Sequence, residues 1–535
     1  MSASWITRRE LVRRGGLLSL LPALFRGGAA AAESVTTEPA LAAGAGLRLG
    51  PEIYQSIGVR PFVNARGTYT ILTGSTLLPE VRTAMDAASR HYVHLDELAE
   101  AMGKRLAELT QAEWGMVTSG CAAALTHATA ACVTGGNPDL HVRVPDLRGF
   151  PKDECIIPKH SRNVYDASVR AVGVRVVDAE TQEELEAAFG PRTALVYILA
   201  GPNADAGPLR TQVLCDAAKK RGVPVLVDCA AEILTVPNVH LQLGADLVAY
   251  SGGKCLRGPQ AAGLLLGRKD LVKAAWVGSA PHHGFARGFK VGKEEAMAML
   301  AAVEAWTKRD YEAEIRVWAS WLDTIARRLR PIAGVTSSVT PVEGLSNRMP
   351  LLQIRWDRAQ LGTTGEAVAK LLFDGMPRVS LFPARGKLEA NETGLTIGPY
   401  MMAPGDEKIV AERLFAVLSK PPRAEEKPKA APLSDLSGTW EVRIEYAASA
   451  SNHRLDIRQR GSELDGTHQG DFVSRDLSGT IDGDAVRVRS SWEHGDSLNY
   501  TFTARVSGDV MTGEVNLGEY LDARFSAKRH ASGRT

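Results

Sequence analysis

The sequence predicts an α/β unit with a mainly parallel sheet, followed by a small all-β domain. Between residues 51 and 420, short β-branched runs alternate with longer amphipathic stretches rich in Ala, Leu and Glu. Strands that alternate with helices in this way indicate a parallel sheet covered on both faces. After residue 435 the pattern changes to short alternating runs separated by turns. The length of 535 residues is sufficient for roughly two to four domains.

The elements of the α/β unit follow from the lengths and periods of the apolar runs. Short runs bounded by polar or turn residues predict buried strands, whereas longer amphipathic stretches predict helices. The strand candidates are residues 193–199, 223–227, 247–250 and 262–266. The helix candidates are residues 80–89, 95–109, 122–132, 183–188, 212–220 and 293–306.

The carboxyl-terminal segment, residues 436–530, is predicted to be a small antiparallel barrel or sandwich. Residues 421–435, rich in Pro and charged side chains, are typical of a linker. Apolar and polar residues alternate as in a strand, and dipeptides such as Asp465-Gly466 and Asp482-Gly483 predict turns. Such a domain is either a passive stabilising cap or a module that binds a ligand or partner.

The first 32 residues resemble a signal peptide. A basic start is followed by a short apolar stretch, residues 15–25, and by small residues that end in an Ala-x-Ala pattern. The adjacent pair Arg8-Arg9 indicates the twin-arginine type, with a Sec-type signal or an Arg-rich disordered leader as the alternatives. The apolar stretch is too short for a permanent membrane anchor. We therefore expect an exported protein, periplasmic or secreted, with residues 33–50 as a tether.

Charge and cysteine content narrow the classes of partner. The formal net charge is +2, which argues against nucleic acid because its binding requires a basic surface. The six cysteines all fall between residues 121 and 255 without a CxxC pair, and no paired histidines lie near them. The sequence therefore predicts neither a metal site nor a disulfide framework.

One lysine stands in an unusual setting. Lys254 follows Ser251-Gly252-Gly253 in a turn between two apolar runs that are predicted strands. Surface lysines usually stand among polar residues with nothing to restrict them. This position indicates a lysine that is held for its chemistry, with a structural lysine in a turn as the alternative.

Two further features give Lys254 a chemical setting. Asp228 ends an apolar run, and ligands gather at the carboxyl ends of parallel strands, although a turn-forming or helix-capping Asp has the same pattern. Residues 118–122 open a predicted helix with small side chains, as in a phosphate site or a plain N-cap. A lysine for a Schiff base, a carboxylate for a pyridine nitrogen and a phosphate site together fit pyridoxal 5′-phosphate.

The lysine segment carries a family resemblance. Residues 251–254 (SGGK) and 257–260 (RGPQ) closely resemble the signature of the bacterial selenocysteine synthase family. This family of fold-type I pyridoxal-phosphate enzymes includes relatives such as D-glucosaminate-6-phosphate ammonia-lyase. The resemblance covers residues 51–420 and implies a large domain (about 51–310) and a small α/β domain (about 311–420). It also implies a homodimer or higher homo-oligomer, because active sites of this fold type form between two catalytic units.

The resemblance implies roles for individual residues. Lys254 anchors the cofactor, and the Asp228 carboxylate keeps its pyridine nitrogen protonated. His160 lies where these enzymes often stack a ring on the cofactor, and Arg348 stands where the small domain binds a substrate carboxylate. An ordinary surface or core histidine and an exposed strand-edge arginine are the alternatives. The positions that match the phosphate contacts are Ser119, Gly120, Cys121 and Ser251.

The reaction is less constrained than the cofactor. Lysine imines make the substrate Cα acidic, and the released lysine amine then acts as the base. Elimination, transamination, racemisation and β-replacement all begin this way. Selenium transfer to seryl-tRNA is cytoplasmic and needs a nucleic-acid partner, which disagrees with the export signal and the charge. We favour elimination of water or ammonia from an amino acid or amino-sugar acid; the alternatives are a transferase, a racemase or an inert ligand-binding protein.

The twin-arginine pair yields a direct test of export. Because pyridoxal phosphate is made in the cytoplasm, this route carries a folded chain with its cofactor bound, whereas a Sec route delivers an unfolded chain. Replacing Arg8 and Arg9 by lysine should therefore retain active holoprotein in the cytoplasm, as measured by cell fractionation and cofactor absorption. Replacing Arg13 and Arg14 by lysine is the matched control. Unchanged export of the first variant contradicts the prediction.

Overall fold

The computed structural model describes residues 46–384, 387–421, 430–491 and 498–530. The predicted leader (1–32), most of the tether (33–50) and residues 422–429 of the linker lie outside these ranges. The chain divides after Pro61 into two units. In the first, Gln55–Ile57 forms a 3-10 turn, and the elements below belong to the second. No helix in the described ranges is both long enough and apolar enough to cross a bilayer.

The central sheet has seven strands in the order β2-β8-β7-β6-β5-β3-β4. Strand β8 is antiparallel to both neighbours, and the remaining pairs are parallel. Strands β2–β7 therefore run in one direction, and their carboxyl ends lie at one edge. The first eight strands of the chain are β1 (Val63–Asn64), β2 (Trp114–Thr118), β3 (Glu154–Pro158), β4 (Arg175–Ala179), β5 (Thr193–Leu199), β6 (Val225–Asp228), β7 (Leu247–Ser251) and β8 (Gly263–Gly267).

Helices cover both faces of this sheet. Two apolar cores result, and successive residues of β5 alternate between them: Val196 packs on one face and Tyr197 on the other. The helices up to the small domain are α1 (Pro79–Ser89), α2 (Leu95–Thr110), α3 (Cys121–Thr134), α4 (Pro138–His141), α5 (Ala167–Arg170), α6 (Gln182–Ala188), α7 (Pro202–Asp205), α8 (Thr211–Lys219), α9 (Val239–Gln242), α10 (Lys269–Val277) and α11 (Lys293–Trp306).

The small domain packs its helices on a four-stranded antiparallel sheet of order β12-β13-β10-β9. Strand β1 pairs in parallel with β11 and so ties the start of this unit to the small domain. Its strands are β9 (Val335–Thr340), β10 (Leu351–Asp357), β11 (Val379–Ser380), β12 (Phe382–Pro383) and β13 (Glu392–Ile397), and its helices are α12 (Tyr311–Leu329), α13 (Arg358–Leu361), α14 (Gly365–Asp374) and α15 (Asp406–Ser419).

The last eight strands form a closed antiparallel barrel in simple chain order. Every second residue faces inward, as shown by Trp440, Val442 and Ile444, and closure leaves no unpaired strand edge. The strands are β14 (Gly438–Glu445), β15 (Ala450–Arg460), β16 (Glu463–Gln469), β17 (Ser474–Asp482), β18 (Ala485–Ser491), β19 (Asn499–Ser507), β20 (Val510–Asn516) and β21 (Asp522–Arg529).

The predicted α/β fold and carboxyl-terminal β domain are confirmed. The predicted strand 193–199 and helix 293–306 coincide with β5 and α11, and the other predicted elements end within two residues of the observed ones. The antiparallel direction of β8 has a simple cause. The chain returns from β7 through the turn around Lys254 without a crossover helix, and parallel neighbours require such a crossover.

Two buried histidines lie inside the barrel. His453 Nδ1 and His468 Nε2 are 2.8 Å apart, and His468 Nδ1 lies 2.6 Å from Ser490 Oγ. Burial lowers the pKa of His453, and burial together with the neighbouring His453 lowers the pKa of His468 from 6.5 to about 3. Both rings are therefore neutral at pH 7.

Acid should destabilise the barrel through His468. Between pH 6.5 and about 3 the unfolded chain binds a proton that the folded barrel excludes, so stability falls as pH falls, by up to about 1.4 kcal/mol per pH unit. In unfolding of the full-length protein at pH 7.5 and pH 5, His468→Gln should reduce the pH dependence of the barrel transition. His530→Gln changes an exposed histidine and should leave it unaltered. Equal pH dependence in the wild type and His468→Gln contradicts this assignment.

Candidate active site

The predicted site residues gather in one pocket at the carboxyl edge of the central sheet. Lys254, Asp228 and Ser251 line it beside the amino terminus of α3. They meet because β2, β6 and β7 end at this edge, where the chain leaves the sheet in loops. The full lining is Thr68, Thr70, Gly74, Gly120, Cys121, Ala122, Leu125, Tyr165, Asp228, Ala230, Ser251, Gly253, Lys254 and Gln260.

Asp228 is a buried carboxylate with hydrogen bonds to both oxygens. It is 2% exposed. Its Oδ1 accepts the Ala230 N–H at 3.0 Å and lies 3.6 Å from the Cys121 thiol, and its Oδ2 accepts the Tyr197 hydroxyl at 3.1 Å. Burial raises the pKa of Asp228, while these donors and the positive charge of Lys254 oppose that shift. The donors thus favour the ionised form of a group that burial alone would neutralise.

The turn that carries Lys254 is fixed by backbone contacts. The Gly252 N–H donates to the Ala262 carbonyl, and the Gly258 N–H donates to the Gly252 carbonyl, both at 2.8 Å. A Cβ on Gly252 would lie 2.7 Å from the Ala262 oxygen, and one on Gly253 would lie 2.7 Å from the Gln260 Cα. Only glycine leaves room for this turn, which explains the glycine pair before the lysine.

The predicted phosphate turn has the expected backbone geometry. Gly120 is the residue before α3, with φ of 94°, and the space beside it is open. The first N–H groups of α3, from Cys121 and Ala122, have no partner within the helix and lie at its positive end. Beneath them, a Cβ on Gly263 would lie 2.3 Å from the Gly120 carbonyl carbon. The turn therefore rests directly on the backbone of β8.

The side chains of two predicted phosphate ligands point elsewhere. The Ser119 hydroxyl donates to the Phe289 carbonyl at 3.0 Å, and the Cys121 thiol faces Asp228. Their backbone N–H groups remain the part of each residue suited to a phosphate. Burial raises the pKa of the Cys121 thiol well above its usual value, so the group is a neutral donor.

His160 and Arg348 do not belong to the described lining of this pocket. The His160 Nε2–H donates to the Leu209 carbonyl at 3.1 Å. The Arg348 guanidinium pairs with Glu312 at 2.9 Å, and it donates to the Gly344 carbonyl. The stacking role of His160 and the carboxylate-binding role of Arg348 stay predictions.

Tyr165 and Tyr197 are site residues to which no sequence pattern pointed. Tyr165 lines the pocket, and its pKa is raised by burial and by the negative charges of Asp228 and Glu519. Glu519 lies in the 3-10 turn Gly518–Tyr520 of the barrel. Tyr197 looks like an ordinary apolar-strand residue in the sequence, whereas its hydroxyl meets Asp228.

A second polar group lies immediately after Asp228. The potential ligand atoms of Cys229, Glu232 and His240 lie within 4.8 Å of one another, and all three residues are buried. His240 Nε2 is 2.7 Å from Glu232 Oε2, and the Cys255 thiol donates to the Glu232 carbonyl. These bonds fasten the loop that follows β6 to the core beneath the pocket. The six cysteines, all within the described ranges, are free thiols.

The donor set at the sheet edge fits pyridoxal phosphate. The pocket holds one primary amine, one buried carboxylate and a helix amino terminus with open space beside Gly120. These match the aldehyde, the pyridine nitrogen and the phosphate of that cofactor. The two charged groups come from different segments, Asp228 from the end of β6 and Lys254 from the turn after β7, yet line the same cavity.

Comparison with known proteins agrees with this chemistry. The family model described as Aminotransferase class-V matches residues 159–282. A solved structure titled "Structure of D-Glucosaminate-6-phosphate Ammonia-lyase" superposes with a TM-score of 0.61 at 26% identity, covering 69% of this chain and 98% of that one. The chain is thus a pyridoxal-phosphate-dependent enzyme of fold-type I, extended by a carboxyl-terminal barrel.

Three relatives define its family. A D-glucosaminate-6-phosphate ammonia lyase from Salmonella typhimurium is 28% identical, over 68% of this chain and 97% of the relative. A 5'-C-glycyluridine monooxygenase-decarboxylase from Streptomyces sp is 32% identical, over 68% and 92%. An L-seryl-tRNA(Sec) selenium transferase from Moorella thermoacetica is 28% identical, over 47% and 57%. The chain belongs to the selenocysteine synthase-like family of fold-type I pyridoxal-phosphate enzymes, which includes ammonia-lyase members.

The contact between Gly263 and the phosphate turn predicts a phosphate-specific defect. In Gly263→Ala the new Cβ must push the backbone of Gly120 and Cys121, so affinity for pyridoxal phosphate should fall about tenfold or more. Affinity for pyridoxal, which lacks the phosphate, should change much less. Both are measured by absorbance titration of the apoprotein. Gly190→Ala, where the added Cβ meets open space, is the control, and an equal loss for both ligands contradicts the assignment.

Proposed function

We propose that this protein is an exported pyridoxal-phosphate-dependent lyase that eliminates water or ammonia from an amino acid or amino-sugar acid. The observation that carries the proposal is the convergence of Lys254, Asp228 and the amino terminus of α3 on one pocket. Similarity to an ammonia lyase over 97% of that enzyme's length supports elimination. The Arg8-Arg9 leader supports export by the twin-arginine route.

Each group in the pocket has a proposed task. When bound, pyridoxal phosphate would supply an electron sink for negative charge at the substrate Cα. Lys254 would hold the cofactor through its amine, and the same amine would serve as the base for the Cα proton. Asp228 would hold a proton on the pyridine nitrogen, and the N–H groups of Cys121 and Ala122 would hold the phosphate. Ser251, at the end of β7 in the pocket lining, is suited to a further phosphate contact.

Oxidative decarboxylation is a second candidate reaction. It is favoured by the 32% identity to a monooxygenase-decarboxylase over 92% of that protein. The two reactions differ in what they release and consume, since elimination needs no dioxygen and frees no carbon dioxide. A substrate screen of amino acids and amino-sugar acids should therefore record ammonia, keto acid, carbon dioxide and dioxygen uptake together. A functional homodimer is proposed on the family resemblance alone.

Lys254 provides the decisive test. Borohydride reduction of the holoprotein followed by peptide mapping should place a pyridoxyl group on Lys254. Lys254→Ala should abolish that label and lower turnover of any substrate found in the screen at least about a hundredfold. Lys408→Ala, which alters an exposed lysine on α15, should retain both. A label on another lysine, or full activity in Lys254→Ala, would sink the proposed function.

A further inference from the structure

We propose that Tyr197, oriented by Asn163, is a positioning residue that keeps the Asp228 carboxylate ionised and aimed into the pocket. This inference rests on the role proposed above for Asp228. Tyr197 lies on β5 beside β6, where its Cα partner is Leu226, two residues before Asp228. Since side chains alternate along a strand, Tyr197 and Asp228 project from the same face of the sheet.

The direction of the Tyr197 hydrogen bond is fixed by its second partner. Asn163 Nδ2 lies 3.2 Å from the Tyr197 hydroxyl oxygen, and an amide NH2 group only donates. The hydroxyl therefore accepts from Asn163 and has its single proton left for Asp228 Oδ2, at 3.1 Å. Burial and the charge of Asp228 raise the pKa of Tyr197 well above its usual value, so the hydroxyl keeps that proton.

The Asn163 amide is itself held in one orientation. Its Nδ2 also donates to the Ser161 carbonyl at 2.7 Å, and its Oδ1 accepts the Tyr165 N–H at 2.7 Å. A flipped amide would place like groups together at both contacts. The chain of bonds therefore runs from Asn163 through Tyr197 to Asp228, and it also anchors the segment that brings Tyr165 to the pocket.

The hydrogen bond from Tyr197 makes the Asp228 carboxylate a weaker base. A buried carboxylate that loses a donor becomes more basic, and a more basic carboxylate draws the shared proton away from a pyridine nitrogen. The other groups that act on Asp228 do not replace Tyr197. These are Lys254, whose amine would be bound to the cofactor in the holoprotein, the Cys121 thiol at 3.6 Å, the Ala230 N–H at 3.0 Å and the nearby Tyr165 and Cys229 side chains.

The experiment follows the proton at the pyridine nitrogen directly. Holoprotein is loaded with pyridoxal phosphate labelled with 15N in the ring, and the 15N chemical shift is recorded against pH. Tyr197→Phe removes only the hydroxyl and should move the Asp228-linked transition to higher pH by about one unit. For any amino acid or amino-sugar acid that the screen shows to bind, exchange of its Cα hydrogen in D2O should also slow, by about tenfold.

Tyr250→Phe is the matched control. Tyr250 is also buried, on the neighbouring strand β7, but its hydroxyl accepts from Asn238 at 2.6 Å. Loss of this hydroxyl should leave the 15N transition unchanged, although it removes the same atom from an equally buried tyrosine. If Tyr197→Phe fails to fold, Asn163→Ala provides the same test. Without the Asn163 amide, the Tyr197 hydroxyl proton is no longer directed at Asp228. The transition in the 15N chemical shift should therefore also move to higher pH.

A double-mutant cycle separates this proposal from the one on which it rests. In an Asp228→Asn background, Tyr197→Phe should cause no further change in the 15N chemical shift or in the rate of Cα hydrogen exchange. The Tyr197 hydroxyl acts through the Asp228 carboxylate, which this background lacks. Additive effects in the double variant, or an unshifted transition in Tyr197→Phe, overturn the positioning role. An unchanged transition in Asp228→Asn itself overturns the proposed role of Asp228, and the present inference with it.

Discussion

A buried carboxylate is the constraint on which the rest of the site depends. Taking a charged group out of water costs several kcal/mol unless hydrogen bonds and an opposite charge compensate it. Asp228 has both: donors from Tyr197 and Ala230, and the positive charge of Lys254. Each lies on a different segment, so β5, β6 and the turn after β7 together supply the compensation.

The position of Lys254 is set by backbone packing. The turn around it is held by hydrogen bonds between main-chain atoms, at positions where any Cβ would overlap a neighbour. Gly263 has the same relation to the phosphate turn, since its Cα lies against the backbone of Gly120. The groups that face the cofactor site are thus supported by contacts between main-chain atoms, which have no rotamers to change. Such rigid support keeps an amine and a helix terminus in fixed relation to one another.

The barrel has a core of its own, and one of its residues affects the pKa of a residue in the pocket. It has its own apolar core around Trp440 and Phe502, and its closed sheet leaves no edge for pairing with the catalytic unit. Glu519, in a turn between its last two strands, nevertheless acts on the Tyr165 phenol in the pocket. Whether the barrel is a stabilising cap or a module that binds a ligand or partner stays a prediction.

The sequence by itself determined the α/β order of elements, the β domain, and the residues whose local pattern is unusual. Lys254 and Asp228 were found because a cation between apolar runs and a carboxylate at a strand end break the usual hydrophobic pattern. Tertiary structure alone decided the contacts between strands. Tyr197 fits an apolar strand without any break, and Asp228 lies 31 residues further along the chain. The roles expected of His160 and Arg348 stay predictions, since the structure shows only their hydrogen bonds to Leu209 and Glu312. Periodicity records which face a residue occupies, whereas its neighbour across the sheet depends on strand order and register, which only the folded chain defines.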